Sequence, residues 1–341
     1  MQLIRSRAPL RIGLAGGGTD VSPYSDLYGG AILNATISLY ANATITLLND
    51  SVLVFESIDQ AAEERYDWSH HVPTDGKLQL LKGVYNYVQQ QYGLPLTGFK
   101  LTTHVDAPAG SGLGTSSTLV VAILGAFVEW LRLPLGEYDL AVMAYKIERE
   151  YLQLAGGKQD QYAATFGGVN FMEFYAADNV IVNPLRIKPT TLYELENNIV
   201  LYFTASSRES ATIIKEQVKN VSSNNQNSIN AMHLLKAQAT QMKEALLKGR
   251  LNDIGTILNF GFEQKRKMAA NISNNTIENI YAAAINAGAN GGKISGAGGG
   301  GFMFFYCPAN TKYNVAAVLN SFGGYTKPFS FTTNGLLSWS L

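Results

Sequence analysis

Pro108-Ala109-Gly110-Ser111-Gly112-Leu113-Gly114-Thr115-Ser116-Ser117 sets three glycines at alternate positions ahead of three consecutive hydroxyl residues. A short apolar run, Phe99 to Val105, precedes it, and an apolar helical pattern from about Thr115 to Leu131 follows, so the order is strand, loop, helix. Glycine lets backbone N–H groups come close to a ligand, and a helix start adds unpaired donors and the positive end of a dipole. Phosphate suits such a loop. It is not G-x-x-x-x-G-K-[ST], because no lysine follows, and not G-x-G-x-x-G, because the third glycine comes one residue early. The plain alternative is a flexible turn with a Ser/Thr N-cap. Thr115 or Ser116 can offer a hydroxyl to Mg²⁺ bound on such phosphates, against simple capping of the helix.

Outward from this loop the first half reads as strands with interspersed helices. Ala31 to Leu48 and Val52 to Glu56, split by Asn49-Asp50-Ser51, predict a mixed or antiparallel sheet. Gly76 to Tyr92 and Glu137 to Leu154 carry helical spacing, and Phe166 to Phe174 reads as a strand. After a strand at Ile199 to Thr204, Ser210 to Leu251 and Asn252 to Asn286 form a helix-rich second half, broken at Ser222 to Ser228. A strand at Phe302 to Tyr306, a helix near Lys312 to Phe322 and a final strand from Phe329 complete it. Two domains, 1–190 and 191–341, are expected, with no internal repeat.

The 341 residues carry 26 basic and 26 acidic side chains, so no net field recommends nucleic acid or an anionic membrane as partner, and any anion must be captured locally. Hydrophobic residues make up 46%, enough for a sizeable core, yet no run of about 18 apolar residues occurs. The single cysteine, Cys307, excludes an intramolecular disulfide, and the start MQLIRSRAPLRIGL has no apolar signal region. A cytoplasmic protein is the expectation. Oligomeric state has no signature in the sequence.

Two further glycine clusters stand out. Arg7 to Asp20 runs from a strand into Gly16-Gly17-Gly18-Thr19-Asp20, where glycines allow close approach and Asp20 can accept hydrogen bonds from hydroxyl groups, with a plain hairpin as the alternative. Gly291 to Gly301 holds seven glycines in eleven residues, too much chain entropy to lose in an ordinary connection, and is expected to line the same cleft. Because Mg²⁺ takes only one or two protein carboxylates, Glu148 and Asp160 are the candidate partners, on either side of Gly156-Gly157. A solvated charged face is the plain reading of Glu148 with its neighbours. Arg11 can neutralise an acid such as Asp160 and lower its pKa. His70-His71 is too isolated for a metal site. Cys307 reads as packed, and Trp68 and Tyr85 can flank an adenine or simply pack.

These three clusters, in this order, resemble the motifs of the GHMP small-molecule kinases: Pro9 to Asp20 the first, Pro108 to Ser117 the ATP-binding second, Gly292 to Phe302 the third. The likeness covers nearly the whole chain. Leu33 to Ser38, Ile147 to Glu150, Gln159 to Ala163 and Phe171 to Tyr175 are similar to the branch acting on D-glycero-D-manno-heptose 7-phosphate. The resemblance implies an α+β, two-domain fold with the active site in the interdomain cleft, ATP and Mg²⁺ as cofactors, and a small-molecule sugar phosphate as substrate.

By the same resemblance Pro108, Gly110, Ser111, Gly112, Leu113, Gly114, Thr115 and Ser116 hold the nucleotide. Ser116 and Glu148 hold the metal, Asp160 is the catalytic acid with Arg11 beside it, and Gly17, Gly18, Thr19, Asp20, Gly298 and Gly299 serve the substrate. The Gly16-Gly17-Gly18-Thr19-Asp20 form departs from the Gly-Glu-His-Thr-Asp of galactokinases, which argues against galactose. Mevalonate-type members usually carry a lysine where Arg11 stands. A kinase of another sugar such as fucose or galactose, a kinase of a non-sugar alcohol, and a sugar or nucleotide sensor that keeps the fold without catalysis are the rival expectations. Lys158, Arg208 and Lys293 are conjectured for a substrate phosphate, without a spacing argument.

Overall fold

The computed structural model describes residues 3–206 and 210–341. Strand β1 (Leu3–Ala15) and helix α1 (Tyr24–Tyr28) lead into β2 (Gly30–Leu47), β3 (Val52–Ser57), β4 (Ala62–Asp67), α2 (Gln79–Tyr92) and β5 (Phe99–Val105). Then follow α3 (Thr115–Leu131), α4 (Glu137–Lys146), α5 (Gln159–Phe166), β6 (Val169–Phe174), β7 (Val180–Pro184) and α6 (Pro189–Asn198). The second half holds β8 (Ile199–Phe203), α7 (Ser210–Ser222), α8 (Gln226–Leu247), α9 (Ile254–Lys265), α10 (Asn275–Asn286), β9 (Gly291–Ile294) and β10 (Phe302–Tyr306). It ends with α11 (Lys312–Asn320), β11 (Tyr325–Thr326) and β12 (Leu337–Ser340). The fold is the expected α+β one.

The long strand β2 organises the first sheet. Its N-terminal third pairs with β6 and its C-terminal third with β5, while β1 runs antiparallel along its other edge with register shifts after Pro9 and after Gly13. All pairings in this sheet are antiparallel except β3 with β5, so it is mixed, as the alternating Ile/Thr pattern predicts. Helix α3 is apolar on every side, and burial on every side is the physical consequence: Thr115 and Ser117 through Phe127 are all buried against β1, β2 and neighbouring helices. Each such Leu, Val, Ile or Phe contributes about 1.5–3 kcal/mol by leaving water.

The second sheet has the order β11-β8-β10-β9. Its central strands, Ile199-Val200-Leu201-Tyr202-Phe203 and Phe302-Met303-Phe304-Phe305-Tyr306, are continuous apolar runs because both faces are covered. The period of two divides them cleanly. Ile199, Leu201, Phe203, Phe302, Phe304 and Tyr306 face the core shared with the first sheet, whereas Val200, Tyr202, Met303 and Phe305 face a second core under α7 to α11. Helix α8 crosses between the halves and packs on β1 and β2.

Three readings from sequence need correction. The helix expected over 137–154 stops at Lys146 and continues as one π-helical turn, Ile147–Tyr151, in which the Leu152 N–H reaches back five residues to the Ile147 carbonyl. A widened turn preserves the apolar spacing, so periodicity does not reveal it. Phe166 closes helix α5 and does not begin a strand, which starts at Val169. The segment after Phe329 does not extend the second half. Phe331 bridges to Ile37, and β12 pairs antiparallel with β1, Ile4 opposite Ser340 and Arg7 opposite Leu337. A division at 190 therefore leaves out of the first unit a stretch that completes its sheet.

No helix among the described residues is long and apolar enough to cross a membrane. Cys307 is buried, and burial pushes its thiol up to about 12, the state of a packed thiol rather than a nucleophile. Removing residues 329–341 should uncover β1 and the face of α3 at Gly125, beside which Leu336 lies. We expect the melting temperature to fall by about 5 °C or more in differential scanning calorimetry, and an unchanged melting point would refute a structural role for this tail.

Candidate active site

The three glycine clusters converge because each permits a backbone contact that a side chain would block. At Gly112, φ is +82° and a Cβ would lie 2.6 Å from the Ser295 carbonyl oxygen; at Gly296, φ is +66° and a Cβ would lie 2.6 Å from the Gly112 Cα. With both residues glycine, the two loops touch. The Ser295 hydroxyl donates to the Gly112 carbonyl at 2.8 Å, and the Phe302 N–H donates to the Ser111 carbonyl at 2.8 Å. The first cluster joins through the Arg11 N–H, which donates to the Leu113 carbonyl at 3.1 Å.

Above this junction lies a cleft of about 560 Å³. Among the expected residues, Arg11, Gly17, Gly18, Asp20, Gly110, Gly112, Gly114, Thr115, Ser116, Glu148 and Asp160 line it. Others do not. Thr19 is fully buried, its hydroxyl within donating distance of the Gly16 and Ala31 carbonyls and accepting from the Ala31 N–H, so it holds the turn rather than a ligand. Leu113 packs in the core, Pro108 is exposed outside the cleft, and the Ser111 side chain is buried. Gly298 and Gly299 turn toward Ile272; Gly296 and Ala297 line the cleft in their place. Tyr85 belongs to the first core, and neither it nor Trp68 reaches the cleft.

Arg11 is buried in β1 and clamps Asp160 in the first turn of α5. Its Nε and Nη2 both lie 2.7 Å from Asp160 Oδ1, and its Nη1 donates to the Gly112 carbonyl at 2.7 Å. Both contacts fall on one carboxylate oxygen, which leaves Oδ2 at the cleft surface with no hydrogen bond to the described residues. A carboxylate fixed in this way, beside a loop of backbone N–H groups, can accept a proton from a hydroxyl brought against it.

Asp20 is 2% exposed. Its Oδ2 accepts from the backbone N–H groups of Lys158 and Gln159 at 2.9 and 3.0 Å, and a Cβ at Gly157 would lie 2.0 Å from that oxygen, which explains the glycine pair before them. Its Oδ1 is buried without a partner among the described residues. Burial pushes its carboxyl above the usual range, the charge of Asp160 adds to this, and the N–H groups oppose it.

Glu148, on the π-helical turn, is buried rather than solvated. It accepts from Gln161 Nε2 and lies 3.6 Å from Arg149, while Ser116 is exposed at the start of α3. Among the described residues no group of three His, Cys, Asp or Glu side chains gathers. One carboxylate and one hydroxyl at the edge of the glycine loop are a donor set that fits Mg²⁺, which usually takes its other ligands from substrate phosphate and water.

Of the conjectured cations, Lys158 is engaged by Asp178 at 2.7 Å, and Arg208 lies outside the described residues. Lys293 does line the cleft, its ammonium 2.8 Å from the Gly13 carbonyl. Sequence reading missed Lys265, at the end of α9, which is buried in the cleft wall with its ammonium on the Gly296 carbonyl. As the last residue of an amphipathic helix it looks like a solvent-facing cation near the dipole's negative end. Burial foremost, and then Arg11, push its pKa down to about 8, against the pull of Asp20 and Asp160. The α7 wall, with Ala211, Ile214 and Gln217, was missed too.

The GHMP kinases N terminal domain profile matches residues 79–168, and the GHMP kinases C terminal profile matches residues 242–324. The chain is 48% identical over 341 residues, all of both sequences, to a D-glycero-alpha-D-manno-heptose 7-phosphate kinase of Campylobacter jejuni. A crystal structure of a D-glycero-D-manno-heptose 1-phosphate kinase from Bacteroides thetaiotaomicron superposes with a TM-score of 0.84 at 47% identity, covering 98% of each chain. Lactococcus lactis galactokinase shares the fold at 19% identity, with a TM-score of 0.74 over 98% of this chain and 95% of that one.

The raised carboxyl of Asp20 fixes the sign of a stability test. Its folded value lies above its unfolded one, so its contribution to stability is present at low pH and is lost as pH rises through the folded value. Asp20→Asn removes that charge at every pH. We expect its melting temperature, relative to the unsubstituted protein, to be higher at pH 8 than at pH 4; a difference that stays constant or reverses would rule out burial as the dominant influence. This chain belongs to the GHMP kinases.

Proposed function

We propose that the chain transfers the γ-phosphoryl group of ATP to the anomeric hydroxyl of D-glycero-D-manno-heptose 7-phosphate, giving the 1,7-bisphosphate. One observation carries the reading. A carboxylate oxygen of Asp160, fixed through its partner oxygen by Arg11, stands free in the cleft beside the glycine loop at the α3 N-terminus. The full-length likeness to a heptose 7-phosphate kinase supports the choice of acceptor.

In this mechanism the N–H groups of the Gly110 to Ser116 loop and the first turn of α3 receive the phosphates. Ser116 and Glu148 would hold Mg²⁺, which when bound neutralises charge on the phosphate oxygens. Gln161 and Arg149 keep the Glu148 carboxylate in place. Gly17, Gly18 and Asp20 shape the acceptor side, where Asp20 stands in the wall with its Oδ1 still lacking a partner among the described residues. Asp160 Oδ2 takes the proton of the anomeric hydroxyl as that oxygen bonds to the γ-phosphorus in line, and the bond from phosphorus to the β–γ bridging oxygen breaks to release ADP. Because such transfers pass through a loose transition state, positioning the hydroxyl is the larger part of the role of Asp160.

The test is a panel of acceptors with Mg-ATP: the heptose 7-phosphate, the free heptose, mannose, mannose 6-phosphate, fucose, galactose and mevalonate. Phosphorus NMR then locates the new phosphate. The highest kcat/KM should belong to the heptose 7-phosphate with phosphate at the anomeric position; preference for fucose, galactose or mevalonate, or transfer elsewhere, would overturn the assignment. Asp160→Asn should lower kcat by about 10²-fold or more while the Kd for ATP stays within about threefold. An active variant would remove Asp160 from this step.

A further inference from the structure

Three cationic side chains and two carboxylates meet where the first and third glycine clusters touch, and their pairing is uneven. Asp160 is taken by Arg11, and Asp20 by two backbone N–H groups. Lys265 and Lys293 are 3% and 5% exposed, and neither has a carboxylate within 4.0 Å among the described residues. Each spends one ammonium donor on a carbonyl, Lys265 on Gly296 and Lys293 on Gly13, out of the three it carries. Both ammonium groups border the same empty space. A side chain at Gly17 would place its Cβ 3.7 Å from Lys265 Nζ and 3.9 Å from Lys293 Nζ. Buried cations are ordinarily paired, and two of them facing one glycine in a substrate cleft lack an anion that the protein does not supply.

We infer that Lys265 and Lys293 form a seat for a phosphate group over Gly17. A phosphate oxygen there satisfies donors on both ammonium groups, and the glycine keeps the space open. Burial, and then the charges of Lys265 and Arg11, press the Lys293 ammonium toward its neutral form, and an anion between the two lysines opposes that pressure. Two phosphates belong to the reaction, that of the acceptor and the γ-phosphoryl group in transfer, and the chemistry of the seat is the same for both. The inference rests on the proposed kinase reading for its substrates. Binding of inorganic phosphate tests it without that reading.

The variants are Lys265→Gln, Lys293→Gln and the conservative Lys265→Arg, each checked for an unaltered melting point. With saturating MgADP present, inorganic phosphate titrated by calorimetry should bind the unsubstituted protein about 10- to 100-fold more tightly than either Gln variant, and Lys265→Arg should recover most of the loss. In turnover, a rise in KM confined to the heptose 7-phosphate and absent with the free heptose assigns the seat to the acceptor's phosphate. A fall in kcat shared by both sugars at constant KM assigns it to the group in transfer. If the Gln variants bind phosphate as the unsubstituted protein does, the seat does not exist, whatever the acceptor panel gives. Should the Lys265 variants fail to fold, Lys293→Gln decides the question alone. A protein that turns over no heptose phosphate yet loses phosphate binding in these variants keeps the seat and loses the proposed acceptor.

Discussion

The guanidinium of Arg11 is the tie on which the rest of the site depends. It is buried in the central layer of the first half, and it holds the carboxylate of Asp160 from one side while holding the carbonyl of Gly112 with its remaining nitrogen. Three separate segments, β1, the glycine loop and α5, are thereby fixed to one planar group. A buried arginine without those partners would carry a heavy desolvation penalty, so the fold that buries it also dictates where the carboxylate and the loop must sit. The glycines at 112 and 296 are the other half of the same constraint, since the loops can close around the arginine only where no side chain stands between them.

Much of this was legible in the sequence because it is written in residue types with few other uses. Alternating glycines before hydroxyl residues, between an apolar strand and an apolar helix, leave little room for a different reading. What escaped has a physical reason in each case. Thr19, Leu113 and Ser111 lie inside the right motifs, but a motif does not say which of its side chains face the ligand and which hold the turn. The π-helical turn at Glu148 keeps the helical spacing on either side. The short helix α5 holds only eight residues, too few for a period to declare itself. Strand β12 is four residues long and finds its partner at the other end of the chain, a distance over which no local pattern carries information.

Lys265 is the most instructive of the residues that were missed. Nothing in the run Phe262-Glu263-Gln264-Lys265-Arg266-Lys267 separates a buried lysine from its exposed neighbours, and two of the three basic residues do behave as surface groups would, Arg266 pairing with Glu278 and Lys267 with Gln264. Only the arrival of the third glycine cluster over the end of α9 removes Lys265 from water. Burial at such positions is a property of assembly, and reading it requires the tertiary structure.

The sharing of one core by both sheets limits how the cleft can move. Leu201, Phe203, Phe302, Phe304 and Tyr306 of the second sheet are packed in the same apolar cluster as β1, β2 and α3, and helix α8 lies across the boundary. Swinging the halves apart as two plates on a hinge would tear that cluster open to water. Of the cleft's walls, α7 forms one and the glycine loops another. The cleft is therefore founded on packed apolar structure, not on a seam between two separable plates.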